Sequence, residues 1–300
     1  MQGLATSAID ARASQLAASN RAVGRIDVFT TYNYGNGTRA RDAWRPKFKY
    51  TAQVITAGAD AHVSDGFLAG AAFNVGRLSA DVSAARGDFT VEDGAGRLYA
   101  IWRGGPVSLL MDANYGTLTV KGIHRATAFG GFRTNGKTGG EHWGAGIKAA
   151  WGLELGTATL RPWFGLRTER VTLDGYTEKD VPALSMQFEE QEAASTSGAI
   201  GVDFAKNWKL GSRSARLELR GAWHDEIGSS TRDVAGKLAD NFTRTTTATL
   251  EDGDGSGLEL GGAVTLFFHK NWSASLGYAA DIRSGEKLAN RATLSLQTGF

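Results

Sequence analysis

The 300 residues carry 33 basic and 31 acidic side chains for a net charge of +2, with no long basic block, so a nucleic-acid partner has no electrostatic footprint. Cysteine is absent, which removes disulfides and thiolate metal sites and suits a chain that crosses an oxidising compartment unfolded. Forty glycines against 4 prolines exclude collagen and proline-rich disorder and suit a strongly curved sheet. No apolar run is long enough for a transmembrane helix, and the N-terminus lacks the basic start and oily centre of a signal peptide.

In chain order, the Ala-rich, proline-free stretch from Gly3 to Ala22 predicts a helix. Its large apolar residues are only Leu4, Ile9 and Leu16, while Asp10, Arg12, Gln15, Asn20 and Arg21 are spread around it. Such a helix has no broad apolar stripe and expects polar surroundings. After Gly24 the period becomes alternating: Ile26, Val28, Thr30, Tyr32 and Tyr34 share one face, and Arg25, Asp27, Thr31 and Asn33 the other.

Strands follow over Phe48 to His62, Phe67 to Gly76, Gly96 to Trp102 and Val107 to Thr119. In His142 to Leu155 the apolar row Ala145, Ile147, Ala149 and Leu153 is flanked by Trp143 and Trp151, with Lys148 and Glu154 opposite. Ser214 to Asp225 repeats this, with Leu217, Leu219 and Trp223 against Arg216, Glu218, Arg220 and His224. Such rows predict a lipid-facing side with aromatic girdles at Trp143, Trp151 and Trp223, and a wet lumen. Lys148, Glu154, Arg161, Arg167, Arg216, Glu218, Arg220 and Glu259 are the expected lumen-lining charges. Pro162 within a strand argues against a central position unless a bulge receives it. The closing strand, Arg291 to Phe300, alternates as well and ends on an aromatic residue.

About twelve strands result, an even number, and their connections alternate long and short. Gly35 to Lys47, Arg77 to Ala95, Lys121 to Glu141, Thr172 to Gln187 and Ile227 to Ser256 read as long. Val63 to Gly66, Gly104 to Pro106, Gly156, and His269 with Lys270 read as short, and Ala205 to Arg213 as moderate. Sorting of this kind predicts an all-β fold: a twelve-stranded antiparallel transmembrane β-barrel with an N-terminal helix inside the pore. The expected units are a pre-barrel helix over residues 1–24, acting as a pore plug, and a barrel over 25–300. In that pore Arg12 and Arg21 are expected to meet Glu154, Glu218 or Glu259, and Asp10 to meet Arg167 or Arg220.

Catalytic and metal patterns are missing. Five scattered histidines have no ligand spacing, and Asp252 to Gly257 begins like an EF-hand but reaches Ala263 where a bidentate Glu is needed. No cofactor is expected. Gly144-Ala145-Gly146 lacks the third glycine of a dinucleotide fingerprint, and no G-x-S-x-G elbow is present. No enzymatic activity is expected in these residues. A diffusion pore or adhesin-like barrel acting through its exposed loops is the alternative, and a soluble sandwich is the bland one.

Nearly all of the chain resembles the C-terminal translocator of autotransporters, the type V secretion system. The likeness rests on the Ala-rich helix, Leu160-Arg161-Pro162-Trp163, Asp174-Gly175-Tyr176-Thr177-Glu178, Gly257-Leu258-Glu259-Leu260 and the terminal Phe300. Asp174 to Gln191, including Ala183-Leu184-Ser185-Met186-Gln187-Phe188, is most similar to barrels of GDSL-type esterase autotransporters. The resemblance implies a monomeric barrel among outer-membrane lipids and an N-terminal passenger outside the cell. It also implies periplasmic chaperones and an outer-membrane insertion machinery that reads Phe300. The helix N-terminus then points to the cell surface and the C-terminus lies at the periplasmic side. With no passenger in the sequence, Met1 is expected to start an excised translocator, and any esterase serine to lie upstream. Asn20 matches only loosely the helix Asn of self-cleaving members.

Overall fold

The computed structural model describes residues 2–16, 23–39, 47–82, 87–127, 131–211, 213–228, 231–239, 244–251, 256–269, 271–283 and 286–299. Helix α1 (Gln2–Leu16) precedes β1 (Ile26–Arg39), β2 (Phe48–Ser64), β3 (Phe67–Val82), β4 (Gly87–Gly104), β5 (Val107–Ala126) and β6 (Arg133–Trp151). Then come β7 (Leu153–Leu155), β8 (Ala158–Leu173), β9 (Tyr176–Thr177), β10 (Met186–Phe188), β11 (Gln191–Leu210) and β12 (Arg213–Glu226). The series ends with β13 (Thr231–Leu238), β14 (Thr246–Glu251), β15 (Gly257–His269), β16 (Trp272–Arg283) and β17 (Glu286–Gly299).

Twelve long antiparallel strands close on themselves. First and last strands pair in the register Val28↔Thr298 and Tyr32↔Leu294, and β11 joins β8 to β12, so the wall has no free edge. The period of two sends Phe73, Leu98, Phe164, Ile200, Leu276 and Leu294 outward, where each is exposed. Asp27, Thr31, Asn33, Thr56 and Asn74 point inward and are buried. An exposed apolar band around a closed, polar-lined wall is what lipid requires of a spanning sheet.

At one mouth, successive barrel strands are joined by two-residue turns at 65–66, 105–106 and 156–157, and β12 and β16 begin three residues after β11 and β15 end. Gly105 and Gly156 adopt left-handed φ values of 61° and 68° there, as tight hairpins of this hand need. The connection expected to be moderate, Ala205 to Arg213, is mostly strand, because β11 continues to Leu210 and β12 begins at Arg213.

At the other mouth, two of the expected long loops are mostly strand. Arg77 to Ala95 and Lys121 to Glu141 are filled by the outer parts of β3, β4, β5 and β6. The polar outer residues there lack the apolar alternation that signals a strand, since both faces meet water beyond the bilayer. At 20 residues each, β5 and β11 run about 65 Å, against the 9–11 residues a tilted strand needs to cross. Two further long connections, Thr172 to Gln187 and Ile227 to Ser256, carry the strands of a second sheet in the order β14-β13-β10-β9. Glu178 ties it to the barrel by accepting two bonds from the Arg125 guanidinium at 2.6 and 2.9 Å, and Tyr176 stacks on Phe188 at 5.0 Å.

Pro162 lies within β8, and its missing N–H falls on the β6 side: pairing there runs to Ala150↔Trp163 and resumes at Leu153↔Leu160, leaving Trp151 and Gly152 unpaired opposite Pro162 and Arg161, while pairing with β11 runs unbroken through Val202↔Pro162. The reading of Glu154 as a lumen-lining charge is corrected. Glu154 keeps the parity of Lys148, because Leu153↔Leu160 continues the register of Ala150↔Trp163, but it lies beside the turn at 156–157, exposed at the rim, where it accepts a 3.0 Å bond from Thr159.

Candidate functional site: the helix-filled lumen

Helix α1 lies inside the barrel. Ala5, Ala8, Ile9 and Arg12, spaced three and four apart, form one fully buried stripe. Ile9 and Ala13 pack on Phe29, Leu68, Ala72, Tyr99, Ile101 and Leu110, apolar side chains that enter the lumen from β1, β3, β4 and β5. The lumen is therefore not polar throughout, contrary to the sequence reading. Phe29, standing in the inward row between Asp27 and Thr31, was the available signal.

Arg12 corrects the expected pairing. Its guanidinium donates from Nε to Asp60 Oδ2 at 2.7 Å, and from Nη2 to Asp60 Oδ1 at 2.7 Å and Asp27 Oδ2 at 3.0 Å. Glu218 and Glu259 bind wall cations instead. Arg216 stands 3.2 Å and Arg161 3.9 Å from Glu218, and Arg291 stands 3.2 Å from Glu259. Single-sequence reading had no means to prefer Asp27 and Asp60, because azimuth around a pore is set only when the barrel closes.

Asp10 does meet Arg220, at 3.4 Å, with Lys148 4.0 Å away. Arg220 also holds Asp203 at 2.8 Å, Trp163 donates its indole N–H to Asp203 at 3.0 Å, and the Lys148 ammonium lies 3.9 Å from the Trp163 ring centre. Arg167 is taken by Asp112 at 3.0 Å and Glu169 at 2.7 Å, so the alternative Asp10 partner is not used. Lys148, Arg161, Arg167, Arg216, Glu218, Arg220 and Glu259 carry their ion pairs on the lumen side of the wall. Gln15 lies in α1 but its side chain, like Asn20, Arg21 and Phe300, falls outside the described residues, as does Asp252 to Gly255.

The direction of α1 is fixed by its contacts. Leu4 O accepts a 3.1 Å bond from Asn33, and Leu4 lies against Gly35, toward the mouth with the long connections. Arg12 reaches residues near the two-residue turns. The helix leans on β1 to β5, leaving a cavity of about 490 Å³ beside its first turns, lined by Thr6, Asp10, Arg167, Arg220, Glu259 and Arg291. A second gap of about 110 Å³ separates Ser7 and Ala11 from β12 and β15 to β17.

Trp143, Trp151 and Trp223 are exposed on the outer face. Trp143 and Trp151 stand eight residues apart on β6, about 26 Å along the strand and, at the tilt of such barrels, about 20 Å along the bilayer normal, within the height of an outer-membrane apolar band. Among the described residues one group has ligand atoms close enough for a metal ion, Asp27, Asp60 and His62, and Arg12 sits on its two carboxylates.

The fold is similar to three solved structures of low sequence identity. The translocator domain of the autotransporter NalP from Neisseria meningitidis superimposes with a TM-score of 0.78 at 15% identity, over 99% of this chain and 96% of that one. The β-domain of the Bordetella autotransporter BrkA gives 0.68 at 14% identity, over 91% and 99%. The transport unit of AIDA-I from Escherichia coli gives 0.55 at 13%, over 96% and 97%. Comparison with curated protein sequences gives no match. The sequence profile described as the Autotransporter beta-domain matches residues 28–279, nearly the whole barrel, and the chain therefore belongs to that family of outer-membrane translocator barrels.

Proposed function

We propose that this barrel secretes an N-terminal passenger and then anchors it at the cell surface, with α1 as both plug and tether, so that residues 1–24 and 25–300 act as two functional units. The observation that carries this is the seating of α1, with Gln2 toward the mouth of long connections and Arg12 clamped near the opposite mouth. A polypeptide joined to the start of α1 emerges at the long-connection mouth. In this reading that mouth faces outside and the two-residue turns face the periplasm. Phe300 then meets the insertion machinery, and periplasmic chaperones deliver the unfolded chain. The barrel works as a conduit and performs no chemistry itself: its buried lumen carboxylates are engaged by arginines, tryptophan and lysine. Within the family, the resemblance of Asp174 to Gln191 to barrels of GDSL-type esterase autotransporters supports a passenger of that class.

The test is display. A small reporter domain fused ahead of Gln2 should become protease-accessible on intact cells while the barrel stays in the outer-membrane fraction. A correctly inserted barrel whose reporter remains periplasmic would identify a non-secretory pore and refute the proposal.

A further inference from the structure

Asp27 and Asp60 are directly opposed across the β1–β2 ladder, and His62 follows on the same inward row. Like charges in that position repel unless a cation stands between them. Both side chains are nonetheless buried to within 2% of completely, and His62 to within 8%. The cation is Arg12, and its Nη2 is the atom shared by the two carboxylates, 3.0 Å from Asp27 Oδ2 and 2.7 Å from Asp60 Oδ1. His62 Nε2 lies 3.9 Å from the same Asp27 oxygen, and the ligand atoms of all three residues fall within 4.8 Å of one another.

A tetrahedral Zn²⁺ bound at about 2.0–2.1 Å needs ligand atoms about 3.4 Å apart, so shifts of under about 1 Å bring this set to bonding geometry. The outer oxygens are held for that role. Arg25 donates to Asp27 Oδ1 at 3.1 Å, and Tyr99 donates to Asp60 Oδ2 at 2.8 Å, which orients each carboxylate as supporting hydrogen bonds do at metal centres.

We propose that Asp27, Asp60 and His62 form a latent binding site for a divalent transition metal, which the Arg12 guanidinium occupies while α1 is seated. Helix and metal are then mutually exclusive, and a metal-loaded barrel is one whose plug has left this position. Two carboxylates and one imidazole, with water as fourth ligand, suit Zn²⁺, and Co²⁺ as its coloured probe.

The experiment uses the full chain refolded in detergent, with its heat-dependent gel mobility shift as the check of folding, and titration with ZnCl₂ or CoCl₂ alone. Arg12→Ala should gain one equivalent of bound metal over the wild type, and the Co²⁺ complex should show the visible absorption of a tetrahedral site. Adding His62→Ala or Asp60→Asn to Arg12→Ala should remove that equivalent. Adding Tyr99→Phe should weaken it about 10- to 100-fold. Arg12→Gln, which keeps an amide donor between the acids, is the second background and must also gain metal. An Arg12 variant that folds and binds no more metal than the wild type overturns the proposal, as does a gained equivalent that survives removal of His62.

Discussion

Replacing Ile9 by alanine isolates what seats the plug. Ile9 is 1% exposed and packed by six wall side chains, all on the side of α1 away from the large cavity. The substitution removes three buried carbons at about 0.8 kcal/mol each, and the hole stays dry because its lining is apolar, which brings the loss to roughly 2.4–3 kcal/mol. At 1.4 kcal/mol per factor of ten, the ratio of open to plugged barrels should rise about 50- to 140-fold. Single-channel recording in planar bilayers reads this as the fraction of time spent in the large-conductance state. The wall ladder makes no use of Ile9, so the temperature of the gel mobility shift should stay within a few degrees of the wild type. An open fraction that rises less than about threefold, or a melting temperature that falls in step with it, would refute the reasoning.

Other substitutions probe the wall and the outer sheet. A Cβ at Gly116 would stand 2.5 Å from Ala95 Cβ, 2.6 Å from Gly94 O and 2.7 Å from His142 Nε2. Gly116→Ala should thus break the 2.6 Å Asp93–His142 bond and lower the gel-shift temperature by at least about 5 °C; an unchanged transition contradicts this. Glu178→Ala removes both Arg125 bonds and the one from Met186 N. It should speed proteolysis between residues 174 and 190 with no change in barrel melting. Burial, and next the Glu178 carboxylate, push the Tyr176 phenol up to about 12. A raised phenol favours the folded outer sheet fully below pH 10 and loses that contribution as pH climbs toward 12. The difference between wild-type and Tyr176→Phe absorbance at 295 nm should titrate near pH 12, and a midpoint near 10 would place Tyr176 in water.

Much of the cylinder was legible in single residues. Trp143 and Trp151 bracketing an apolar row, with Lys148 opposite, state which face meets lipid and which meets water, because a strand allows no third side. Short connections were readable for the same reason, since Gly104-Gly105-Pro106 can only turn. What was hidden depends on closure. That Arg12 meets Asp27 and Asp60 follows from where α1 leans, and it leans on β1 to β5 because Phe29, Leu68, Ile101 and Leu110 gather there from four strands. Each of the four looks like an isolated exception in its own polar row. Glu154 keeps the inward parity of its strand yet is exposed, because it lies so close to the turn at 156–157 that it stands at the rim, a height that alternation alone does not give. The second sheet was read as loops because its strands are as short as Tyr176–Thr177 and Met186–Phe188, too brief to show a period.

The plug itself is tested most directly by the conductance of a chain lacking residues 3–21 beside that of the intact chain, in the same planar bilayer and salt. A helix about 10 Å across fills most of the lumen, so its removal should raise single-channel conductance several-fold and abolish brief openings in favour of one steady level. Equal conductance in the two chains would mean that α1 does not occupy the lumen, and the account of this barrel as a self-plugged conduit would fail.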